Sequence, residues 1–452
     1  MAGTPGMAGT PGTAHGPRTA SASGTAAVPR PRPHRHRHRA GQRSQHCELF
    51  AVREFGGLWY AQVLSAAGDQ FAQIAVAVGV YERTRSPFLT ALVYAMSYLP
   101  QVIGGPLLAE VASLVPQRTL MVGLNLARAA LVAVMALPGV PFAARCALLV
   151  TIVMLGAAFS DARAAMLPDV LPPAKLAAGM EIGSVSGRAG QLVGFLAGGA
   201  LVAAVRPGGI MLLAVAAFAA SAGLITGRLA MRPIPPRRRA GRPLALPVTR
   251  AEAATVVRQP LPRTLLLLGW LASCAVVPEA LAVPYAHVLH GGMITAGLLM
   301  TAIPAGALAG AAAITFLVRP SARLRIMSGL ATASCAPLAA SALHPPLWAV
   351  LVLWATAGAA SAYQLAATAE FVRALPAGEL ASAVDLAQSG LLAAQGAGLL
   401  AAGLAAQLIG PQAAVTVTGL LGVAVAATLA GTWRRLHGAS YAGPASRSAS
   451  CC

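Results

Sequence analysis

Long apolar segments alternate with short polar connections along most of the chain. Read with a window of about nineteen residues, this pattern predicts twelve membrane-spanning helices. The first half places them at 56–80, 88–112, 119–138, 143–160, 179–204 and 208–229, and the second half at 264–286, 294–317, 324–343, 346–369, 381–407 and 411–433. These segments are too long for the strands of an outer-membrane barrel, so the fold class expected is an all-α polytopic membrane protein.

Polar segments without this pattern divide the chain into five regions. Residues 1–53 are rich in Pro, Gly, Ala and Arg and are expected to form a disordered basic tail. Two six-helix bundles are expected at 54–231 and 264–434, and they are separated by an Arg- and Pro-rich linker at 232–263. Residues 435–452 form a C-terminal tail.

Composition excludes a soluble enzyme and explains the basic charge. Only 10% of the residues are charged, against about 25% in soluble proteins. The net charge of +20 raises the question of nucleic-acid binding. If both termini are cytoplasmic, however, 27 of the 33 Lys and Arg residues lie on the cytoplasmic side. This positive-inside bias accounts for the charge, so no nucleic-acid partner is expected.

The two halves match each other at a constant offset of 204 residues. An even number of spans in each half gives the two repeats the same orientation in the membrane. Two parallel six-helix repeats of this kind enclose a cavity at the middle of the bilayer. The matched pairs include Leu171-Pro172 with Leu375-Pro376, Glu181 with Asp385, Gln191 with Gln395 and Phe159 with Tyr363.

Charged residues inside the spans are candidates for function, because each costs about 2.5–3.5 kcal/mol at the bilayer centre. Asp69 lies at mid-depth of the first span and is the proton-coupling candidate. The acids near span ends have an alternative role as solvated helix-start or gate residues, and the arginines either pair with the acids or face the cavity. The other intramembrane charges are Arg128, Glu181, Arg188, Glu279 and Asp385.

Polar and aromatic residues within the spans are candidates for the cavity wall. Amide and aromatic side chains suit an apolar or planar small molecule. For the aromatic residues, packing or a place in the lipid-interface belt is the alternative. The candidates are Gln73, Tyr98, Gln101, Gln191, Trp270, Tyr363 and Gln395.

Motifs for other chemistry are missing from the sequence. There is no phosphate-binding loop of the Walker type, and Lys175 is the only lysine. No cysteine pair has zinc spacing, and no nucleophile–base arrangement is recognisable. We therefore expect no enzymatic activity, no cofactor and no metal site.

Several motifs resemble the major facilitator superfamily, in its drug/proton antiporter branch with macrolide-efflux and siderophore-exporter proteins. The resemblance covers about residues 50–435 and implies twelve helices in two bundles. Its motifs are Phe55-Gly-Gly-Leu-Trp59, Ser65-Ala-Ala-Gly-Asp69, Leu99-Pro100-Gln101, Asn125-Leu-Ala-Arg128 and Gly190-Gln-Leu-Val-Gly194.

The loop after the second span departs from the family pattern. The family has an acid followed by a basic cluster, which locks the two bundles in one state. Here the stretch that corresponds to this motif begins at Gly105, Ser113 stands at the acid's position, and only Arg118 remains of the cluster. The usual gate ion pair is absent unless Glu110 substitutes for the missing acid.

The resemblance implies a proton-coupled exporter of a hydrophobic or amphipathic small molecule, such as a drug, macrolide or secondary metabolite. It would work by alternating access as a monomer in the plasma membrane, with both termini cytoplasmic. Its partners would be the lipid bilayer, the small-molecule substrate and protons. Two alternatives stay open at this stage: an importer of a small solute, and a non-pumping membrane scaffold with the same fold.

Overall fold

A computed structural model describes residues 49–101, 115–172, 207–232, 256–376 and 379–441, with Ala254 and short runs between 175 and 201. The regular secondary structure in this part of the chain is helical throughout. Ten of its helices are long and apolar enough to cross a membrane. The predicted spans at 88–112 and 179–204 fall on segments that are described only in part.

Five helices of the first half are described over their full range. They are α1 (Arg53–Thr84), α2 (Pro87–Ala95), α3 (Gln117–Ala136), α4 (Phe142–Val170) and α5 (Pro207–Arg228). A sharp connection joins α1 to α2. Arg85 adopts a left-handed conformation, and the Ser86 hydroxyl caps α2 by accepting from the N–H of Leu89 at 3.2 Å.

The second half contains two spans that are interrupted midway. The seventh span consists of α6 (Pro260–Trp270), a 3₁₀ turn (Leu271–Ala275) and α7 (Val276–Val288). The tenth consists of α10 (Leu347–Ala360) and α11 (Tyr363–Arg373). The remaining helices are α8 (Met293–Leu317), α9 (Pro320–Ala339), α12 (Leu380–Ile409) and α13 (Pro411–Tyr441), and a 3₁₀ turn (Ala340–Leu343) follows α9.

Most helix ends lie within about four residues of the ends expected from the apolar pattern. Two helices continue further than expected: the fourth span was expected to end at residue 160 but continues to Val170, and the twelfth was expected to end at residue 433 but continues to Tyr441, into the expected C-terminal tail. Arg163 and Asp161 do not end α4, because a charged side chain can point into a polar interior while the backbone stays helical. This correction places Asp161 well inside a helix.

The two halves bury equivalent positions. Seven residues of the buried cluster in the first half recur 204 residues later in the buried cluster of the second half. The pairs are Ala61 with Leu265, Phe159 with Tyr363, Ala162 with Ala366, Leu167 with Phe371, Leu171 with Leu375, Ile225 with Leu429 and Leu229 with Trp433. The repeat in the sequence is therefore a repeat in the packing.

Candidate functional site

A cavity of about 1030 Å³ lies between the two halves. Apolar side chains such as Ile152, Phe195 and Ile303 share its wall with many polar groups. Both halves contribute amides, hydroxyls and carboxylates, so the site exists only where the bundles meet. The polar lining is Gln62, Asp69, Gln70, Gln73, Tyr94, Ser97, Tyr98, Gln101, Ser160, Asp161, Gln191, Glu279, Ser361, Gln364, Asp385, Gln388, Ser389 and Gln395.

The cavity wall includes a break in the second span, just after α2. The chain turns at Met96–Tyr98 before a short helical stretch resumes at Leu99. Gln73 of α1 donates from its amide to the Ser97 hydroxyl at 2.9 Å. The Gln101 amide donates to the Ser97 carbonyl oxygen. Side chains therefore satisfy polar groups where the regular helix is interrupted, as required inside a membrane.

The broken seventh span brings Glu279 to the wall. Glu279 lies one turn after the 3₁₀ segment, in the first turn of α7. The Trp270 indole is not part of the cavity lining and donates to the Ala387 carbonyl oxygen at 3.1 Å. Tyr363 is fully buried and donates to the Leu268 carbonyl oxygen at 2.8 Å. These two aromatic residues, expected on the cavity wall, instead fasten the interrupted helix to its neighbours.

Asp69 and Arg128 form an ion pair in the wall formed by the first half. The Arg128 guanidinium donates to the Asp69 carboxylate. The Arg128 side chain is fully buried, whereas that of Asp69 is 39% exposed. The anionic end of the pair therefore faces the cavity, and the cationic end lies behind the wall. A proton in the cavity can reach the carboxylate without passing through packed protein.

A buried network holds the guanidinium in place across α1, α3 and α5. One of its nitrogens donates to the Ser65 hydroxyl at 2.7 Å and to the Asn125 amide oxygen at 3.2 Å. Asn125 donates to the Ser221 hydroxyl at 2.8 Å, and that hydroxyl donates to a backbone carbonyl of α1. The Phe218 ring covers the guanidinium carbon at 4.2 Å. Such a network fixes the orientation of the buried charge.

The structure brings most of the predicted cavity residues together. Gln73, Tyr98, Gln101, Gln191 and Gln395 line the wall, as do Asp69, Glu279 and Asp385. Arg128 is the partner of Asp69 and does not line the cavity. Glu181 and Arg188, and the gate-loop positions Gly105, Glu110 and Ser113, lie outside the described residues.

Two residues near the cavity or gate have placements that the sequence did not show. Asp161 lines the cavity as an exposed carboxylate, which the sequence missed because its helix was expected to end one residue earlier. Arg118 donates to the Thr226 carbonyl oxygen at 2.6 Å and so ties α3 to α5 within the first half. The signal that could have found Asp161 is its charge within an otherwise apolar stretch.

The halves pack against each other at one end of the cavity. We call the end at Thr84 and Val288 the opposite side and the end at Arg53 and Pro260 the linker side. On the opposite side, the Ser86 hydroxyl donates to the Gln407 amide oxygen at 2.8 Å, across the two halves.

The rings of Tyr81 and His287 reinforce this seal, with centroids 5.1 Å apart. Toward the linker side, the lining residues Asp161 and Asp385 are exposed. Among the described residues, these contacts between the halves close the cavity on the opposite side, and two carboxylates of its wall are exposed toward the linker side.

Solved structures share this architecture, although neither a protein-family model nor a curated protein sequence matches the chain. A bacterial homologue of the human lysosomal transporter Spinster, in an inward-facing, unoccupied conformation, aligns over 85% of this chain and 97% of its own, with 15% identity and a TM-score of 0.63. A POT family transporter in complex with a thioalcohol-conjugated peptide aligns over 83% and 95%, with 12% identity and a TM-score of 0.68.

The human organic anion transporter MFSD10 aligns over 83% of this chain and 99% of its own, with 17% identity and a TM-score of 0.58. These proteins are transporters of the major facilitator type. The chain is thus a multi-pass membrane protein with the fold of the major facilitator transporters.

Proposed function

We propose that the chain is a secondary active transporter that exports a hydrophobic or amphipathic small molecule in exchange for protons. The observation that carries this proposal is the Asp69–Arg128 pair, whose carboxylate is open to a cavity shared by both halves. The mixed apolar and amide lining suits an amphipathic compound. The motifs that resemble those of the drug/proton antiporter branch support export as the direction of transport.

Protonation of Asp69 would link proton binding to the change between the two openings of the cavity. A neutral Asp69 leaves the Arg128 charge buried with only the neutral acceptors of Ser65 and Asn125. Leaving one member of a fully buried ion pair unpaired costs about 3–5 kcal/mol, and because the Asp69 side chain is 39% exposed the cost here is smaller, about 2 kcal/mol. A free-energy change of that size is enough to shift a two-state equilibrium between the two openings of the cavity. Proton binding would therefore favour one opening and cargo binding the other.

The basic residues support one orientation in the membrane. Among the described residues, most Lys and Arg at helix ends lie on the linker side, whereas Arg83, Arg85 and Arg145 lie on the opposite side, so the linker side and both termini would face the cytoplasm. With the halves joined on the opposite side, the structure would correspond to a cavity open to the cytoplasm. We propose a monomer in the plasma membrane, with the two six-helix bundles as its moving domains.

The test is the accumulation of a panel of dyes and antibiotics in efflux-deficient bacterial cells that express the chain. We expect the wild type to lower accumulation, and we expect a protonophore to abolish the effect. Asp69→Asn should insert at the wild-type level and lose efflux, because the amide keeps the shape of the side chain but cannot bind and release a proton. Asp169→Asn is the matched control, since Asp169 is exposed near the end of α4 and is not part of the cavity lining.

Each outcome separates the candidate functions. Efflux that survives in Asp69→Asn would refute the proton-coupling role of Asp69. Accumulation raised above that of empty cells would indicate import. An unchanged level for every compound, with protein verified in the membrane, would contradict export and favour the scaffold.

A further inference from the structure

Two cysteines of the second half meet behind the cavity wall. Cys274 lies in the 3₁₀ turn that interrupts the seventh span, and Cys335 lies in α9. Both thiols are free. Cys335 is only 1% exposed, and Cys274 is half-buried against the same apolar cluster. The two residues are far apart in the sequence, so only the fold brings them together.

Gly422 of α13 shows how close the two sulfur atoms are. A Cβ atom built on this glycine would lie 2.7 Å from the Cys335 sulfur and 3.2 Å from the Cys274 sulfur. Because both distances start at the same point, the sulfurs are at most about 6 Å apart, a range that includes the separation set by two collinear metal–sulfur bonds of about 2.3 Å each. The missing side chain of Gly422 leaves room for both thiols.

The surroundings of the pair limit what it can bind. The cluster around Cys335 is apolar and includes Leu271, Tyr363 and Ala426. The described residues contain no group of three or more His, Cys, Asp or Glu side chains that could hold a metal. A tetrahedral ion such as Zn²⁺, which takes four protein ligands in structural sites, therefore does not fit. Two sulfur ligands suit a soft ion with linear coordination.

We propose that Cys274 and Cys335 form a dithiol site that binds one soft, two-coordinate divalent ion of the mercury(II) class. Each thiol releases its proton to water, and each sulfur then forms one bond to the ion. The two thiolate charges cancel the charge of the ion, so the bridged unit is neutral and is tolerated among apolar side chains. A monovalent soft ion such as silver(I) would leave a net negative charge there, which is costly.

The site lies next to the cavity without being part of its lining. Ala272 and Ala275, on either side of Cys274 in the turn, line the cavity, whereas Cys274 does not. An ion bound by both sulfurs would tie this turn to α9. A short 3₁₀ segment within a helix often marks a hinge, so the bridge would restrict movement of the seventh span at its break. The binding itself does not depend on the proposed function.

The test uses the purified full-length chain in detergent, reduced and then freed of reductant. In the pair variant, Cys274 and Cys335 are the only thiols, because the other four cysteines are replaced through Cys47→Ser, Cys146→Ala, Cys451→Ser and Cys452→Ser. Mercury(II) chloride is titrated in, and the remaining thiols are counted after denaturation. We expect one ion per chain to block both thiols and to give the ultraviolet absorption of sulfur-to-mercury charge transfer.

Release by glutathione measures whether both sulfurs hold the same ion. Two thiols held side by side act at a high effective concentration. We therefore expect release from the pair variant to need at least about tenfold more glutathione than release from Cys274→Ser or Cys335→Ser in the same background. A variant with Cys146 and Cys335 as its only thiols is the matched control, because Cys146 lies in α4 of the other half. It should behave like the single-thiol variants.

Glycine substitutions in α13 test the geometry. Gly422→Ala in the pair variant puts a methyl group where the two sulfurs lie and should lower the glutathione concentration needed for release. Gly431→Ala, in the same helix but with open space around it, should leave that concentration unchanged.

Four results would overturn the proposal. They are two ions bound per chain in the pair variant, equal release from the pair and single-thiol variants, equal release from the pair variant and the matched control, and unchanged release in Gly422→Ala. Binding is measured without transport. A chain that binds the ion through both cysteines but exports nothing would refute the proposed function and leave the dithiol site standing.

Discussion

Asp69 and Arg128 touch each other but occupy different environments. The carboxylate is partly open to the cavity, and the guanidinium is sealed behind it by Ser65, Asn125 and Phe218. A charge in water can stay unpaired at little cost, whereas a buried one cannot. When the Asp69 charge is lost, the cost in free energy therefore comes mainly from the unpaired, buried charge of Arg128.

This asymmetry predicts how substitutions affect stability. Asp69→Asn should lower the free energy of unfolding by about 2 kcal/mol, because the guanidinium is left with neutral acceptors. Adding Arg128→Met should recover most of that loss, because the stranded charge is removed with little change in volume. Thermal unfolding in detergent of both single variants and the double variant measures the coupling. Additive effects of the two substitutions on the free energy of unfolding would show that the ion pair does not contribute to stability.

For single residues, the sequence indicated which charged side chains are candidates for function, but it did not indicate which of them pair. Asp69 and Arg128 stand out as charges inside apolar spans, but their pairing depends on how α1 and α3 are rotated, which hydropathy does not specify. Trp270 and Tyr363 illustrate the same point, since an aromatic residue within a span can face the cavity or the protein interior. Only the structure shows that both donate to backbone carbonyls.

Interrupted helices position the cavity's polar groups. The 3₁₀ turn before α7 precedes Glu279 by one turn, and the break after α2 places Ser97 and Tyr98 on the wall. The tenth span breaks at Ser361, which also lines the cavity. A short 3₁₀ segment or turn within a helix often marks a hinge. The apolar pattern predicted these spans as continuous because a break of a few residues does not change mean hydropathy.

Close helix packing supports the second half, and it depends on glycine. Gly306 and Gly310 of α8 lie against the carbonyl groups of Ala355 and Ala359, and Gly358 of α10 lies against that of Ile303. A methyl group at any of these glycines would overlap with backbone atoms of the facing helix. Such small residues four apart let membrane helices approach closely.

This packing predicts opposite effects for two identical substitutions. Gly306→Ala should lower the free energy of unfolding by about 1–3 kcal/mol, because α8 and α10 must separate to admit the methyl group. Gly329→Ala in α9 should be neutral or stabilising by up to about 1 kcal/mol, since the space around it is open and alanine favours the helix. Thermal unfolding in detergent compares the two variants. Equal effects would contradict the close approach of α8 and α10.

The whole molecule repeats its first half in its second. Seven buried positions coincide at the offset of 204 residues, including Phe159 with Tyr363. The sequence predicted this organisation because long apolar segments remain recognisable in both halves even where individual residues differ. It did not predict the seal between the halves, since Ser86, Gln407 and His287 are ordinary loop and helix-end residues in the sequence.

The seal predicts that joining the halves on the opposite side stops transport. Cysteines at Ser86→Cys and Gln407→Cys should react with a short bifunctional thiol reagent, because the native side chains are hydrogen-bonded at 2.8 Å. The linked protein should lose export if the cavity must open on this side, and a reductant that cleaves the bridge should restore it. The two single-cysteine variants are the controls. Full export by the linked protein would contradict alternating access through this interface.

Under the proposed mechanism, proton binding and release at Asp69 drive export through the cavity between the halves. Its most direct measurement is transport in proteoliposomes of a compound whose accumulation the chain lowers in cells, with and without an imposed pH gradient. We expect the wild type and Asp169→Asn to move the compound against its concentration gradient only when the pH gradient is present, and Asp69→Asn to do so in neither condition. Wild-type transport that does not depend on the pH gradient, or pH-driven transport by Asp69→Asn, would contradict proton coupling through Asp69.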